Sequence, residues 1–197
     1  MITYLNLGHK GNLGNQLFQV ASCIGIAQSL HRKCCFPKWY YADYFQGTFE
    51  IVTDHDNWVK INEEQFNFHE WNITDDRANL NGWLQTEKYF KDAKIKEYFA
   101  FKDDFFSNLK KDYSFLFSKK TILISVRRGD FVHHPYFFQL SYKFYFLALV
   151  HNFPDWKERN ILFASDDINY CKQHFSFIKN SFFLDDLSPI EQLALGS

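Results

Sequence analysis

The chain has 197 residues, 46% of them hydrophobic and 23% charged, with a formal net charge of −1. That length gives one or two domains with real cores. A near-neutral charge speaks against a nucleic-acid binder and against a polybasic membrane tether. Aromatic residues reach 20%, with 24 Phe and 11 Tyr against 8 Gly and 4 Pro. An AT-rich genome is the plainest source of that excess; an aromatic core or a sugar-stacking surface would use it.

Cys23, Cys34, Cys35 and Cys171 show no metal-ligand spacing, and adjacent Cys34 and Cys35 make a poor structural disulfide. The N-terminus, Met1-Ile-Thr-Tyr-Leu-Asn-Leu-Gly8, reads as a strand and not as a secretion signal. A reducing, cytoplasmic setting is therefore expected. No run approaches the roughly 18 apolar residues of a membrane-spanning helix. Asn72-Ile-Thr74 fits a glycosylation pattern that is expected to be idle.

In chain order, Ile2 to Leu7 outlines a first strand. Gly8-His-Lys-Gly-Asn-Leu-Gly-Asn-Gln16 follows as a glycine-bearing loop. Leu17, Phe18, Ala21, Ile24, Ala27 and Leu30 then fall at helical spacing, so a helix should start near Gly14 or Asn15. Strand, glycine loop and helix together aim backbone N–H groups at an anion. The spacing matches neither the dinucleotide fingerprint nor a P-loop, so a simple tight turn is an equal reading. Lys33–Phe36 should form a short second strand and Asn79–Leu84 another, with irregular structure between Glu50 and Arg77. Helical spacing runs from Gln85, with Thr86 as cap, to Phe117. The Ser118–Lys120 turn sets an expected boundary between domains 1–117 and 118–197.

The second part reads βα-βα-βα, hence a parallel sheet. Its strands are Ile122–Val126, Asn160–Ala164 and Ser181–Leu184. Its helices start at Ser141, after Asp167 and at Ser188-Pro189. Ile122-Leu-Ile-Ser-Val-Arg-Arg-Gly-Asp-Phe131 reads as a buried strand that delivers two guanidiniums to the carboxyl edge. Open α/β sheets bind ligands at that edge, and the arginine fork suits phosphate oxygens. Arg127 or Arg128 gripping a diphosphate and a surface ion pair with Asp130 are both compatible with the local residues. Asp166 and Asp167 reach the same edge, either as carboxylates for ribose or guanine donors or as a helix cap. No Asp-x-Asp occurs in this second part and no zinc-spaced histidines occur in the chain, so arginine and not a metal should neutralise phosphate. The tripeptide Arg128-Gly-Asp130 closes a strand and is discounted as an adhesion signal. His133 and His134 read as loop surface.

Four segments, in order, carry a resemblance. Gly11-Asn-Leu-Gly-Asn-Gln-Leu-Phe-Gln19, Gly82-Trp-Leu-Gln-Thr-Glu-Lys-Tyr-Phe90, Val126-Arg-Arg-Gly-Asp-Phe131 and Phe163-Ala-Ser-Asp-Asp167 resemble the motifs of family 11 glycosyltransferases, the α-1,2-fucosyltransferases. The resemblance implies a GT-B-like α/β fold of two facing Rossmann-like domains, an N-terminal acceptor-side domain and a C-terminal GDP-sugar domain. It implies metal-independent, inverting transfer from GDP-fucose to the 2-hydroxyl of a terminal galactoside, with no cofactor beyond the donor.

Carried across, Arg127 holds the donor diphosphate and Asp166 sits by the guanosine. Gly14, Asn15, Gln16, Arg128 and Asp167 join the donor site. Gln85, Glu87 and Phe131 fall on the acceptor side, and Asp130 and Glu87 are the carboxylates available as base. The partners implied are GDP-fucose and a galactoside-terminated glycan, with peripheral membrane contact during polysaccharide synthesis.

Two departures stand out. Ser125 replaces the motif's histidine, and Phe131 its tyrosine. The family also continues past the Ser188–Leu195 helix into a tryptophan-bearing segment, so the C-terminal domain is expected to be incomplete. These departures keep open an alternative, a non-catalytic nucleotide- or glycan-binding relative.

Overall fold

The computed structural model describes residues 1–54 and 56–197. They form two compact units, Met1–Phe105 and Phe106–Ser197. The division lies upstream of the Ser118–Lys120 turn and falls within a helix. Each unit holds a three-stranded sheet, and every strand pair is parallel. The molecule is thus an α/β protein with parallel sheets.

In the first unit, β1 is only Ile2–Thr3, shorter than the expected Ile2–Leu7. The backbone beyond Thr3 has other partners. Leu5 N donates to the Asn79 side chain at 2.9 Å, and Leu7 N turns back to Tyr4 O at 3.1 Å. Helix α1, Leu13–Ser29, starts one or two residues before the expected position, with Asn12 as its cap. Val20, Ile24 and Ala27 bury its inner face.

Strands β2, Val59–Asn62, and β3, Ala78–Asn81, complete the sheet in the order β1-β3-β2. Lys33–Phe36 is not a regular strand but pairs through single bridges, Ile2 with Cys34 and Phe36 with Ile51. Strand β3 ends before the expected Leu84. The Glu63 carboxylate captures the Trp83 N–H at 2.7 Å and the Leu84 N–H at 3.2 Å, taking both from the ladder. The expected helical region breaks into a 3₁₀ turn at Glu87–Tyr89, α2 at Ile95–Tyr98, α3 at Asp103–Asp112 and a 3₁₀ turn at Ser114–Phe117. Thr86 caps the first of these, as its position suggested.

The second unit follows the βα-βα-βα reading: β4 Thr121–Val126, α4 Tyr142–Asn152, β5 Asn160–Ser165, α5 Ile168–Phe175, β6 Ser181–Phe183 and α6 Pro189–Leu195. The strands run β4-β5-β6. Central β5 is buried on both faces. Ile161 and Phe163 pack with Leu149, Cys171 and Phe175, while Leu162 and Ala164 pack with Leu116 and Leu184. Strand β4 departs from the buried strand expected. Among the described residues it pairs only with β5, and Leu123 on its outer face is 41% exposed. An edge strand buries one face, so its side chains alternate. Ser188 and Glu191 exchange hydrogen bonds as a capping box at α6, with Pro189 in the first turn.

Candidate active site at the carboxyl edge of the second sheet

Strands β4 and β5 end in register, Val126 opposite Ser165. The Ser165 hydroxyl ties the two ends together. It donates to Val126 O at 2.7 Å and accepts from Asp167 N at 2.9 Å. The next residues on each strand therefore meet at a fixed edge. Asp166 reaches across it: one oxygen accepts the Arg128 N–H at 2.8 Å and the other accepts Arg127 Nη1. Gly129 makes the approach feasible, because a Cβ there would lie 2.4 Å from Asp166 Oδ2.

The two arginines differ in setting. The Arg127 side chain is 43% exposed and forks between Asp166 and Asp130, with Nη2 2.6 Å from Asp130 Oδ1. Its guanidinium also covers Phe131 at 4.9 Å. Arg128 is 18% exposed. Its Nε donates to Asp167 Oδ2 at 3.0 Å, and its guanidinium carbon lies 3.7 Å from the Tyr170 ring centre. The other Asp167 oxygen caps α5 by accepting from Tyr170 N at 3.2 Å. Arg128, Asp167 and Tyr170 thus close on one another. Asp167 is the helix cap that the sequence allowed, and Asp166 accepts from both arginines across the edge. Behind them burial raises the Cys171 thiol and Tyr145 hydroxyl pKa values, and the Arg128 charge offsets only part of that.

Three carboxylates share this edge with two guanidiniums. The edge has no excess of positive charge, so an anion would be held by directed N–H donors and not by a broad field. Two of the five N–H donors of Arg127 are engaged by carboxylates. The ion pair with Asp130 weighed from sequence is present, and the guanidinium remains accessible beside it.

An aromatic loop continues from Arg127. Phe131 stacks on Phe137 with ring centres 4.0 Å apart and planes 13° from parallel. His134 lies 4.4 Å from Phe137, and its Nδ1 accepts from Tyr136 N at 3.3 Å. His133 and His134 are exposed, as loop surface should be.

In the first unit, the glycine loop is occupied with its own structure. Asn15 Oδ1 accepts the Asn12 N–H at 3.1 Å. The amide of Gln16 is buried: it donates to Gly11 O at 3.0 Å and accepts from Trp39 Nε1 at 2.9 Å. Gln19 donates to Lys10 O at 3.1 Å. Gly11 needs its positive φ of 78° and has no room for a Cβ. Gly14 differs, for a Cβ there would meet nothing within 4 Å. Gln85 and Glu87 are exposed near the Glu87–Tyr89 turn.

Ser165, Gly129, Tyr170 and Glu63 were not singled out from sequence. The first two lay inside the quoted motifs. Tyr170 carried a signal of its own, an aromatic three residues beyond a helix cap and so over the first turn. Glu63 sat in a polar stretch with no periodicity to mark it.

Among the described residues, no three His, Cys, Asp or Glu side chains are grouped to hold a metal ion, and no helix is long and apolar enough to cross a membrane. The sequence profile of glycosyl transferase family 11 matches residues 5–197. The chain has no match among curated protein sequences. Solved structures share its fold. The fucosyltransferase NodZ from Bradyrhizobium aligns with 99% of this chain and 80% of its own, at 11% identity and a TM-score of 0.54. NodZ α-1,6-fucosyltransferase soaked with GDP-fucose aligns over the same shares at 10% identity and 0.56, and its co-crystal with GDP at 11% and 0.55.

Proposed function

The chain belongs to glycosyl transferase family 11, and from that premise we propose that it transfers fucose from GDP-fucose to a hydroxyl of a glycan. The family match across residues 5–197 carries this reading. The solved fucosyltransferases of like fold, one soaked with GDP-fucose, support the donor. Two parallel-sheet units fit a GT-B-like arrangement in which the C-terminal unit holds the nucleotide.

Loss of GDP leaves negative charge on the β-phosphate and positive charge on the sugar. Arg127 is the group we assign to the leaving diphosphate, because it is accessible and its fork is already oriented by Asp166. Its contact with Asp130 is a surface pair, worth roughly 0–1 kcal/mol, so phosphate displaces Asp130 at small cost. Asp130, released, becomes the base for the acceptor hydroxyl in an inverting displacement. Asp166 stays on the Arg128 N–H, and its remaining lone pairs meet guanine donors. Arg128 and Asp167 hold that geometry and do not touch the donor. Gly14 leaves open backbone for close approach at the α1 N-terminus, Asn15 flanks it, and Gln16 shapes the loop. Gln85, Glu87 and Phe131 belong to the acceptor side. The reaction takes place without a metal, in the cytoplasm, peripheral to a membrane surface.

The four sequence motifs favour the 2-hydroxyl of a terminal galactoside. A second reading, transfer to a 6-hydroxyl, is favoured by the α-1,6 enzymes of like fold. A third, binding without turnover, is favoured by Ser125 on β4, exposed where the motif has an imidazole. Incubation with GDP-fucose and a panel of galactose- and N-acetylglucosamine-terminated oligosaccharides separates them. We expect an α-1,2-fucosylated galactoside by NMR and undiminished rate in EDTA. Fucose on a 6-hydroxyl selects the second reading, and GDP binding with neither transfer nor donor hydrolysis selects the third.

A further inference from the structure

The His133–Phe138 loop exposes more aromatic surface than the fold explains. Tyr136 is 86% exposed, Phe138 88% and Phe137 45%. Exposed apolar clusters of this kind mark places where something binds. The cluster is continuous with the Arg127 edge through named contacts: Arg127 over Phe131, Phe131 stacked on Phe137, and His134 packed between Phe137 and Tyr136, whose rings lie 4.4 and 5.7 Å away. The packed rings therefore run outward from the proposed reacting centre to the exposed rings of Tyr136 and Phe138.

We propose that this loop is the stacking platform for the acceptor, with Tyr136 and Phe138 taking pyranose rings of a neutral oligosaccharide and Phe137, packed on Phe131 and His134, bracing them. The inference rests on the fucosyl-transfer reading and adds to it the residues that select the acceptor. A pyranose has one face of axial C–H bonds and a rim of hydroxyls. It packs its apolar face on an aromatic ring and keeps its hydroxyls in water, so exposed rings suit it. A bilayer surface is the other ligand of exposed aromatics, but lipid-docking segments add Lys or Arg for anionic headgroups. The stretch Phe131-Val-His-His-Pro-Tyr-Phe-Phe138 contains neither. The same lack of charge argues for an uncharged glycan over a sulfated or uronate-rich one.

Saturation-transfer NMR on the full chain tests the platform directly, with lactose, cellotetraose and chitotetraose as probes and GDP affinity measured alongside. We expect at least one probe to receive saturation. Its binding should weaken roughly three- to tenfold in Tyr136→Ala and in Phe138→Ala, as loss of one aromatic stacking contact predicts. Phe138→Tyr should retain it, and GDP affinity should not change in any of the three. Circular dichroism confirms that the exposed substitutions leave the fold intact. Binding of no probe, or equal binding by wild type and both alanine variants, overturns the platform. Vesicle flotation lost in the same variants without any sugar binding assigns the loop to a membrane instead. Failure of GDP to bind wild type is a separate result and refutes the donor reading, not the platform.

Discussion

Two stretches were marked from sequence as donor-binding, the glycine loop of the first unit and the arginine edge of the second. They turn out to be built on opposite principles. In the glycine loop the polar side chains spend their hydrogen bonds inward: Asn15 on Asn12, Gln16 between Gly11 and Trp39, Gln19 on Lys10. Gly14 is open, and Gly8, His9, Gly11 and Asn12 are exposed around it. At the arginine edge the two arginines divide, Arg128 inward and Arg127 outward, while the Asp166 and Asp167 side chains are both partly exposed. Arg128 and Asp167 close on each other and Tyr170; Arg127 and Asp166 meet where a ligand could reach them. A motif is thus a mixture of groups that shape a site and groups that touch a ligand. The two kinds should respond differently to substitution.

The largest expected effect is at Arg127. Arg127→Ala should lower fucosyl transfer by about 10²–10³-fold, the usual cost of removing a donor aimed at developing charge. Thermal stability should change by less than about 0.5 kcal/mol, because the side chain is exposed. Arg127→Lys keeps the charge and loses the fork, so recovery should be partial. A full rate in Arg127→Ala, measured with saturating GDP-fucose, removes the outward half of the comparison.

Gln16 should show the reverse. Gln16→Ala strands the Trp39 N–H and the Gly11 carbonyl, at roughly 1–3 kcal/mol of stability. A denaturant midpoint reads this, while GDP affinity measured on the folded fraction should stay near wild type. Weakened GDP binding at unchanged stability would make Gln16 a ligand contact and collapse the contrast.

Gly129→Ala probes the junction of shape and contact. The new Cβ would sit 2.4 Å from Asp166 Oδ2, and Asp166 is short and held by two hydrogen bonds. The carboxylate must move, and Arg127 loses its orienting partner. GDP affinity should fall by about tenfold, equal to about 1.4 kcal/mol. Calorimetric titration checks it.

What could be read in advance follows from where the signal resides. Helix α1 was legible because Leu17, Ala21, Ile24 and Ala27 repeat at helical spacing over a long run. The second unit was legible because β5 is apolar on both faces and α5 and α6 carry side-chain caps, although Ser141 at α4 makes no cap hydrogen bond. Strand β2, Val-Lys-Ile-Asn, was not, because an edge strand with mostly exposed side chains carries little apolar pattern. The short β1 and β3 were over-read for a different reason. Asn79 and Glu63 side chains take backbone N–H groups that would otherwise extend the ladder, and no local pattern announces a partner 74 or 20 residues away. The Asp166 clasp across Arg127 and Arg128 is of the same kind, a pairing made by register between strands.

Tyr4 tests the inward principle with the smallest effect. Its side chain is fully buried, and its hydroxyl donates to Gly82 O at 2.6 Å, fastening β1 to the end of β3. Burial pushes its pKa up to about 12 from the ordinary value of about 10. The folded state therefore holds this proton more tightly than the unfolded chain does. The stabilisation is complete below about pH 10, where both forms are protonated, and is lost as pH rises through about 12. Tyr4→Phe should cost about 1 kcal/mol at neutral pH through the unpaired Gly82 carbonyl. It should also flatten the alkaline fall in stability, since the group that must ionise is gone. Denaturant midpoints of both proteins across that alkaline range decide it. Parallel curves would mean that other hydroxyls with raised pKa values, such as half-buried Tyr145 in the second unit, carry the alkaline response.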